Sequence, residues 1–184
     1  SMQRYWVPRE QFSGDRAVLL AEDAHHAVRV MRLGAGDAVV VCDGEGGVWR
    51  AEIASASPRE VVVRLVERLA EDRELPVTLA LAQSLPKGDK MDLILQKGTE
   101  LGVGCFVPLV SARTVVRLDE KKAAQRHARW ARIVKEAFEQ SRRTLLPRVE
   151  PVRRWDEVLR LAGEYDALLL AYEGEETVPL GAAL

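Results

Sequence analysis

The pattern of apolar and polar positions changes period once along the chain. Up to about residue 70 the apolar residues come in short runs of β-formers, at 5–7, 17–20, 38–42, 48–54 and 60–66. Turn chemistry separates them, at Ser13-Gly14-Asp15, Gly34-Ala35-Gly36-Asp37, Asp43-Gly44-Glu45-Gly46-Gly47 and Ser57-Pro58. Val39-Val40-Val41 and Val61-Val62-Val63 are continuous, as in strands covered on both faces or closed into a barrel. One helix is predicted among them, over about 23–31. The highly charged stretch 67–74 reads as a linker. From Leu75 strands alternate with helices: strand 77–82, helix 89–101, strand 105–110, helix 120–142, a short strand near Val149, helix 155–162 and strand 167–172. That alternation predicts a parallel sheet with right-handed crossovers. The expected fold is therefore two-domain α+β, a small β-barrel over 1–70 and an α/β domain over 75–184.

Helix 89–101 carries the densest chemistry. Asp89 is placed to cap it, with Asp92 at the third position reaching back as in a capping box. Met91, Ile94, Leu95, Gly98 and Leu101 share one face at the spacing of a buried stripe. Lys90, Leu93, Lys97 and Glu100 form a mostly charged stripe beside it. That stripe reads either as a solvated helix face or as a reactive, phosphate-facing surface. In helix 120–142 the stripe Trp130, Val134, Ala137, Phe138 and Ser141 is expected to dock on the sheet. Arg129, Arg132, Glu136, Glu139 and Arg143 follow on another stripe, and Pro147 closes the region. Glu139-Gln140-Ser141-Arg142-Arg143 gathers acceptor, amide, hydroxyl and cation within about one turn. In the first domain His26, Arg29 and Arg32 share a broad helix face, either a grip for a phosphate backbone or simply an exposed side.

Composition narrows the classes. The chain has 184 residues, 47% hydrophobic and 30% charged, with a formal net charge of -1. Segment 121–148 holds nine Lys/Arg against Glu136 and Glu139, and 149–184 holds three bases against eight acids. Either the basic block faces a polyanion, or it pairs with the acidic segment in the fold. Cys42 and Cys105 form no metal-spaced pair and no disulfide framework, and read as buried thiols. His25, His26 and His127 lack partners at ligand spacing, so no metal is expected. No apolar run reaches the length of a membrane span and no signal-peptide pattern occurs, which makes the cytoplasm the default. Gly98 to Gly104 is glycine-rich but ends a helix where a dinucleotide loop would open one, with Gly102 as its C-cap. Lys87-Gly88 lacks the spacing of a phosphate loop.

The order of several segments resembles one family. They are Arg4-Tyr5-Trp6, His26-Ala27-Val28-Arg29-Val30-Met31-Arg32-Leu33-Gly34-Ala35-Gly36-Asp37, Asp43-Gly44, and Lys87-Gly88-Asp89-Lys90-Met91-Asp92 running into Gln96-Lys97-Gly98-Thr99-Glu100-Leu101-Gly102-Val103. Ser111-Ala112-Arg113-Thr114-Val115, Arg129-Trp130 and Glu139-Gln140-Ser141-Arg142-Arg143 with Pro147 follow. Together they resemble the bacterial 16S ribosomal RNA uridine-N3 methyltransferases of the SPOUT, or α/β-knot, superfamily. The resemblance implies a PUA-like RNA-binding β-barrel followed by a SPOUT parallel-sheet domain. It also implies a homodimer, 16S rRNA of the small ribosomal subunit as partner, and S-adenosyl-L-methionine as methyl donor to N3 of a uridine. Catalytic roles are implied for Lys90, Glu100 and Arg143. RNA contacts are implied for Arg4, His26, Arg29, Arg32, Lys87, Lys97, Arg113, Arg129, Arg132 and Gln140, with Glu100 and Glu139 orienting the cations.

The family's Gly-Pro-Glu-Gly-Gly cofactor loop and its later Arg-x-Leu-Arg-x-Glu-Thr-Ala segment do not occur in these 184 residues. The second domain is accordingly expected to be C-terminally incomplete, its cofactor site mostly beyond Leu184 and the chain inactive alone. Two other readings compete, a non-catalytic RNA-binding module and a nucleotide-using α/β enzyme of another kind.

Overall fold

The structure is a computed structural model that describes residues 2–86, 88–110 and 120–171, and the backbone of 178–179. The chain divides into two compact units, Ser1–Arg73 and Glu74–Leu184.

In the first unit β1 (Arg4–Trp6), β2 (Phe12–Ser13), β3 (Arg16–Leu20), β4 (Ala38–Cys42), β5 (Val48–Ala56) and β6 (Glu60–Arg68) form a curled sheet in the order β1-β4-β5-β6-β3-β2. β1 runs parallel to β4 and the other neighbours are antiparallel. Because side chains alternate across a strand, Ala17 with Leu19, Val39 with Val41, Ala51 with Ile53 and Val61 with Val63 all reach one core, closed by Tyr5 and Val7. Register shifts at Arg50/Ala51 and Ile53/Ser55 are bulges, which bend a strand and help a sheet curl. Strand β2 was not expected, since two residues carry no readable alternation. The predicted helix 23–31 begins earlier and changes pitch: α1 (Ala21–His25) passes into a π-helical turn, His26–Val30. Ala24 and Ala27 anchor it to the core.

The stretch read as a linker is shorter than expected. β6 continues to Arg68, Leu69 donates its N–H to Val48, Glu71 pairs with Arg4, and Glu74 belongs to the second unit.

The second unit runs β7 (Leu79–Ser84), α2 (Lys90–Leu101), β8 (Cys105–Val110), α3 (Glu120–Ser141), β9 (Arg148–Val149), β10 (Arg153–Arg154), α4 (Trp155–Val158), β11 (Ala167–Ala171) and β12 (Val178–Pro179). Its sheet has the order β10-β8-β7-β11-β12, with β9 also on β8, and every pairing is parallel except β11 with β12. The sheet is covered on both faces. Ala80, Ala82, Cys105, Val107 and Leu109 meet Val158 of α4. Leu79, Leu81 and Phe106 point the other way and meet Met91 and Leu95 of α2 with Trp130 and Val134 of α3. Helix α4 is shorter than the predicted 155–162 and gives way to a 3-10 turn at Ala162–Glu164, which contains the weak helix former Gly163. Tyr172, the last residue of the predicted strand, lies outside the described residues.

Two details of α2 depart from expectation. Asp89 precedes the helix but its carboxylate makes no capping bond, and Asp92 turns away from it to pair with Arg129 of α3. Leu101, assigned to the buried stripe, is 74% exposed, because the helix ends there and Leu75 packs against Gly102 instead.

Candidate RNA-facing site on helices α2 and α3

α2 and α3 lie side by side on one face of the parallel sheet, each holding its apolar stripe against Phe106 and its neighbours. Burial of Met91, Leu95, Trp130 and Val134 sets the rotation of both helices, so their polar stripes must face away from the sheet. Lys90, Leu93, Lys97 and Glu100 are all exposed, and Lys97 contacts Glu100 at 3.4 Å. On α3 Arg129 and Arg132 are exposed, and Arg129 bridges to Asp92 of α2. Between the helices is a groove of about 400 Å³, lined by Asp89, Asp92, Leu93 and Gln96 on one side and Ile133, Glu136, Ala137 and Gln140 on the other.

The groove combines three carboxylates, two amides and an apolar floor, with cations at its margins. An acidic lining repels phosphate, whereas neutral groups that donate and accept hydrogen bonds match it. Gln140, expected at the site, does line it. Asp89, Gln96 and Glu136 line it too, although the sequence reading gave none of them a site role. Their i, i+3 and i+4 spacings to Asp92 and Gln140 were visible, but spacing along one helix does not say which face meets a second helix.

Other expected residues have different work. Arg143 is only 3% exposed. Its Nε and Nη2 donate to the Glu74 carboxylate at 3.3 and 2.6 Å, and Nη1 donates to the carbonyls of Thr99 and Val103 at 3.2 and 2.6 Å. It is a buried clamp on the C-terminal end of α2 and does not face an open surface. Burial pushes the Glu74 carboxyl up, but the Arg143 bonds and the N–H groups of Thr144 and Leu145 outweigh that and hold it below its usual range. Glu139 pairs with Lys135 at 3.1 Å, one turn earlier on α3. Arg4 is likewise a structural residue: its side chain is 9% exposed, bonded to Glu71 at 2.6 Å and close to the Cys42 sulfur. His26 is half-buried, its Nδ1 2.8 Å from the Tyr5 hydroxyl, a contact that ties the helix to β1. Arg29 and Arg32 are exposed. Lys87 and Arg113 lie outside the described residues.

The glycine-rich stretch after α2 is a packing device. A Cβ at Gly98 would come within 2.6 Å of the Phe106 ring, and Gly102 sits at φ 110 as the left-handed cap that donates back to Gly98 and Thr99. The space beside these glycines is filled by protein, so they form no cradle for a cofactor. Among the described residues, no group of three His, Cys, Asp or Glu side chains is placed to hold a metal ion.

Comparison with known proteins gives these features a context. Residues 73–182 match the RNA methyltransferase domain model and residues 19–66 match the RNA methyltransferase PUA domain model. The ribosomal RNA small subunit methyltransferase E of Bacillus subtilis is 41% identical over 94% of this chain, which spans 68% of that protein. Its namesake from Synechocystis is 37% identical over 98% of the chain, which spans 58% of that relative's length. A crystal structure of the Neisseria gonorrhoeae methyltransferase E bound to S-adenosyl methionine superposes with a TM-score of 0.76 at 33% identity, covering 86% of this chain and 65% of that one. With both domain models matched in order and a curated relative at 41% identity, the chain belongs to the ribosomal RNA small subunit methyltransferase E family.

Proposed function

We propose that this chain supplies the RNA-binding unit and the substrate side of an enzyme that methylates N3 of a uridine in 16S rRNA of the small subunit. The observation that carries the reading is the groove between α2 and α3, acidic and amide-lined inside, with Arg129 at its edge and Lys90 and Lys97 exposed along α2. Such a lining suits the neutral face of a base better than a phosphate. The uracil edge offers a carbonyl, an N–H and a carbonyl, which complements amide donors beside a carboxylate acceptor.

Bound S-adenosyl-L-methionine supplies an electrophilic methyl group on a sulfonium. The part assigned to the described residues is on the nucleophile. Uracil N3 holds its proton at neutral pH, and the ring must pass it to water before nitrogen can attack the methyl carbon and release the thioether. Lys90 and Lys97 stabilise negative charge that develops on the uracil oxygens, with Glu100 orienting Lys97. Arg129, Arg132 and Gln140 hold the flanking RNA, so that the base is presented in one orientation. The intact protein acts as a homodimer in this reading.

The test is mass mapping of N3-methyluridine in small-subunit rRNA, after incubating 30S subunits with cofactor and the protein encoded by the complete gene. Methylation at one uridine is expected, with Lys90→Ala lowering the rate about 100-fold or more, as for removal of a charge-stabilising group. A wild-type protein that leaves every uridine unmodified while binding the same RNA would favour the second reading, a non-catalytic RNA-binding module.

A further inference from the structure

The π-helical turn of the first unit has a construction that packing alone does not call for. Met31 donates its N–H to the His26 carbonyl at 2.9 Å, and Leu33 donates to Ala27 at 2.9 Å. These wide bonds place Arg32 at φ 56, in the left-handed region where glycine usually ends a helix. They also push two apolar side chains outward: Val30 is 59% exposed and Met31 37%, between exposed Arg29 and exposed Arg32. On the inner side Ala27 is fully buried, and His26 is tied to the Tyr5 hydroxyl at 2.8 Å. π-turns of this kind are frequent at functional sites. An arginine held where glycine is preferred, beside two solvated apolar side chains, is otherwise unfavourable on both counts.

We infer that Arg29-Val30-Met31-Arg32 is a contact for single-stranded RNA, in which the apolar pair lies against an unstacked base and the two guanidiniums take the phosphates on either side. The alternation of cation, apolar pair and cation matches the alternation of phosphate, base and phosphate along one strand. Apolar side chains, Met among them, contact base faces elsewhere in nucleic-acid recognition, as wedges inserted between base steps. Base faces are available in single strands and loops of RNA but are hidden in its duplexes. His26 and Tyr5 are positioning residues that hold the turn. The inference rests on the proposed rRNA function for its biological setting, but its test does not.

Arg32→Gly separates the structural from the binding role, because the two move in opposite directions. Glycine relieves the backbone strain, so the melting temperature should hold or rise. Affinity for a labelled oligouridylate should fall, and the slope of log affinity against log salt should become shallower by about 0.7, the loss of one phosphate contact on a single strand. Val30→Ser with Met31→Ser should weaken binding without changing that slope. A perfect RNA duplex should bind wild type more weakly than the single strand does. Unchanged affinity and slope in Arg32→Gly, or equal binding of duplex and single strand, would overturn the inference. If 30S subunits are methylated while Arg32→Gly binds RNA normally, only this inference fails. If Arg32→Gly behaves as described but no methyl group is transferred, the proposed reaction fails and the contact stands.

Discussion

At the scale of single residues, Arg143 shows how a dense cluster can mislead. Acceptor, amide, hydroxyl and cation within one helical turn suggested reactive chemistry, yet Arg143 satisfies two carbonyls at the end of α2 and the carboxylate of Glu74. Helix C-termini leave carbonyls without partners inside the helix, and a buried guanidinium answers several at once. Arg143→Ala should therefore cost about 3–5 kcal/mol of stability, since it takes the guanidinium away from a mostly buried carboxylate and from two helix-end carbonyls. Arg143→Lys should recover little, because one ammonium cannot span the carbonyls and both carboxylate oxygens. Chemical denaturation at pH 7 checks both. The pair also makes a pH prediction. Glu74 is held below its ordinary value of 4.5 in the fold, so the unfolded chain binds a proton first as pH falls. Its stabilising effect is complete above that value and is lost as the pH drops below it. Wild type and Glu74→Gln should differ in stability at neutral pH and converge in acid.

At the scale of elements, periodicity located most of the second unit. β8 matched the predicted strand 105–110, and α2 and α3 ended within a residue of their predicted limits. Buried Met91, Leu95, Trp130, Val134 and Phe138 were legible because each repeats at a helical interval and faces one sheet. What was not legible is set by partners distant in sequence. The groove depends on α3 crossing beside α2, the Arg129–Asp92 bridge replaces an expected capping bond, and the π-turn depends on Tyr5 accepting His26 as a neighbour. Gly98 sits at the centre of this arrangement. It lies against the Phe106 ring of β8, and a methyl group there would collide with that ring. Gly98→Ala gains helix propensity of about 1 kcal/mol but overpacks a filled core at a cost of about 1–3 kcal/mol. Net destabilisation is expected, and Phe106→Leu in the same chain should restore part of it. Thermal melts of the two single variants and the double variant would show this as a non-additive cycle.

At the scale of the whole molecule, the question is where the charge goes. A net charge of -1 gives no long-range attraction to RNA, so binding must come from local patches. The basic segment 121–148 and the acidic segment 149–184 were equally open to mutual pairing. In the fold, Glu150 lies between Arg148 and Arg153, Glu157 near Arg153 and Arg154, and Asp156 on Arg154. These acids engage arginines at the C-terminal part of the unit, and Arg148 at the end of the basic block is among them. Arg129 pairs instead with α2, and Lys135 with its own helix. Arg129, exposed on α3, is therefore tied to α2 and not to these acids. RNA affinity should consequently fall steeply with salt, and Arg129→Ala should make that dependence shallower by about 0.7. Glu164, 57% exposed and 3.9 Å from Arg148, supplies the control. If acids of the C-terminal segment screened the basic block, Glu164→Gln would tighten RNA binding and steepen the salt dependence. With the charge distributed as observed, it should leave both unchanged.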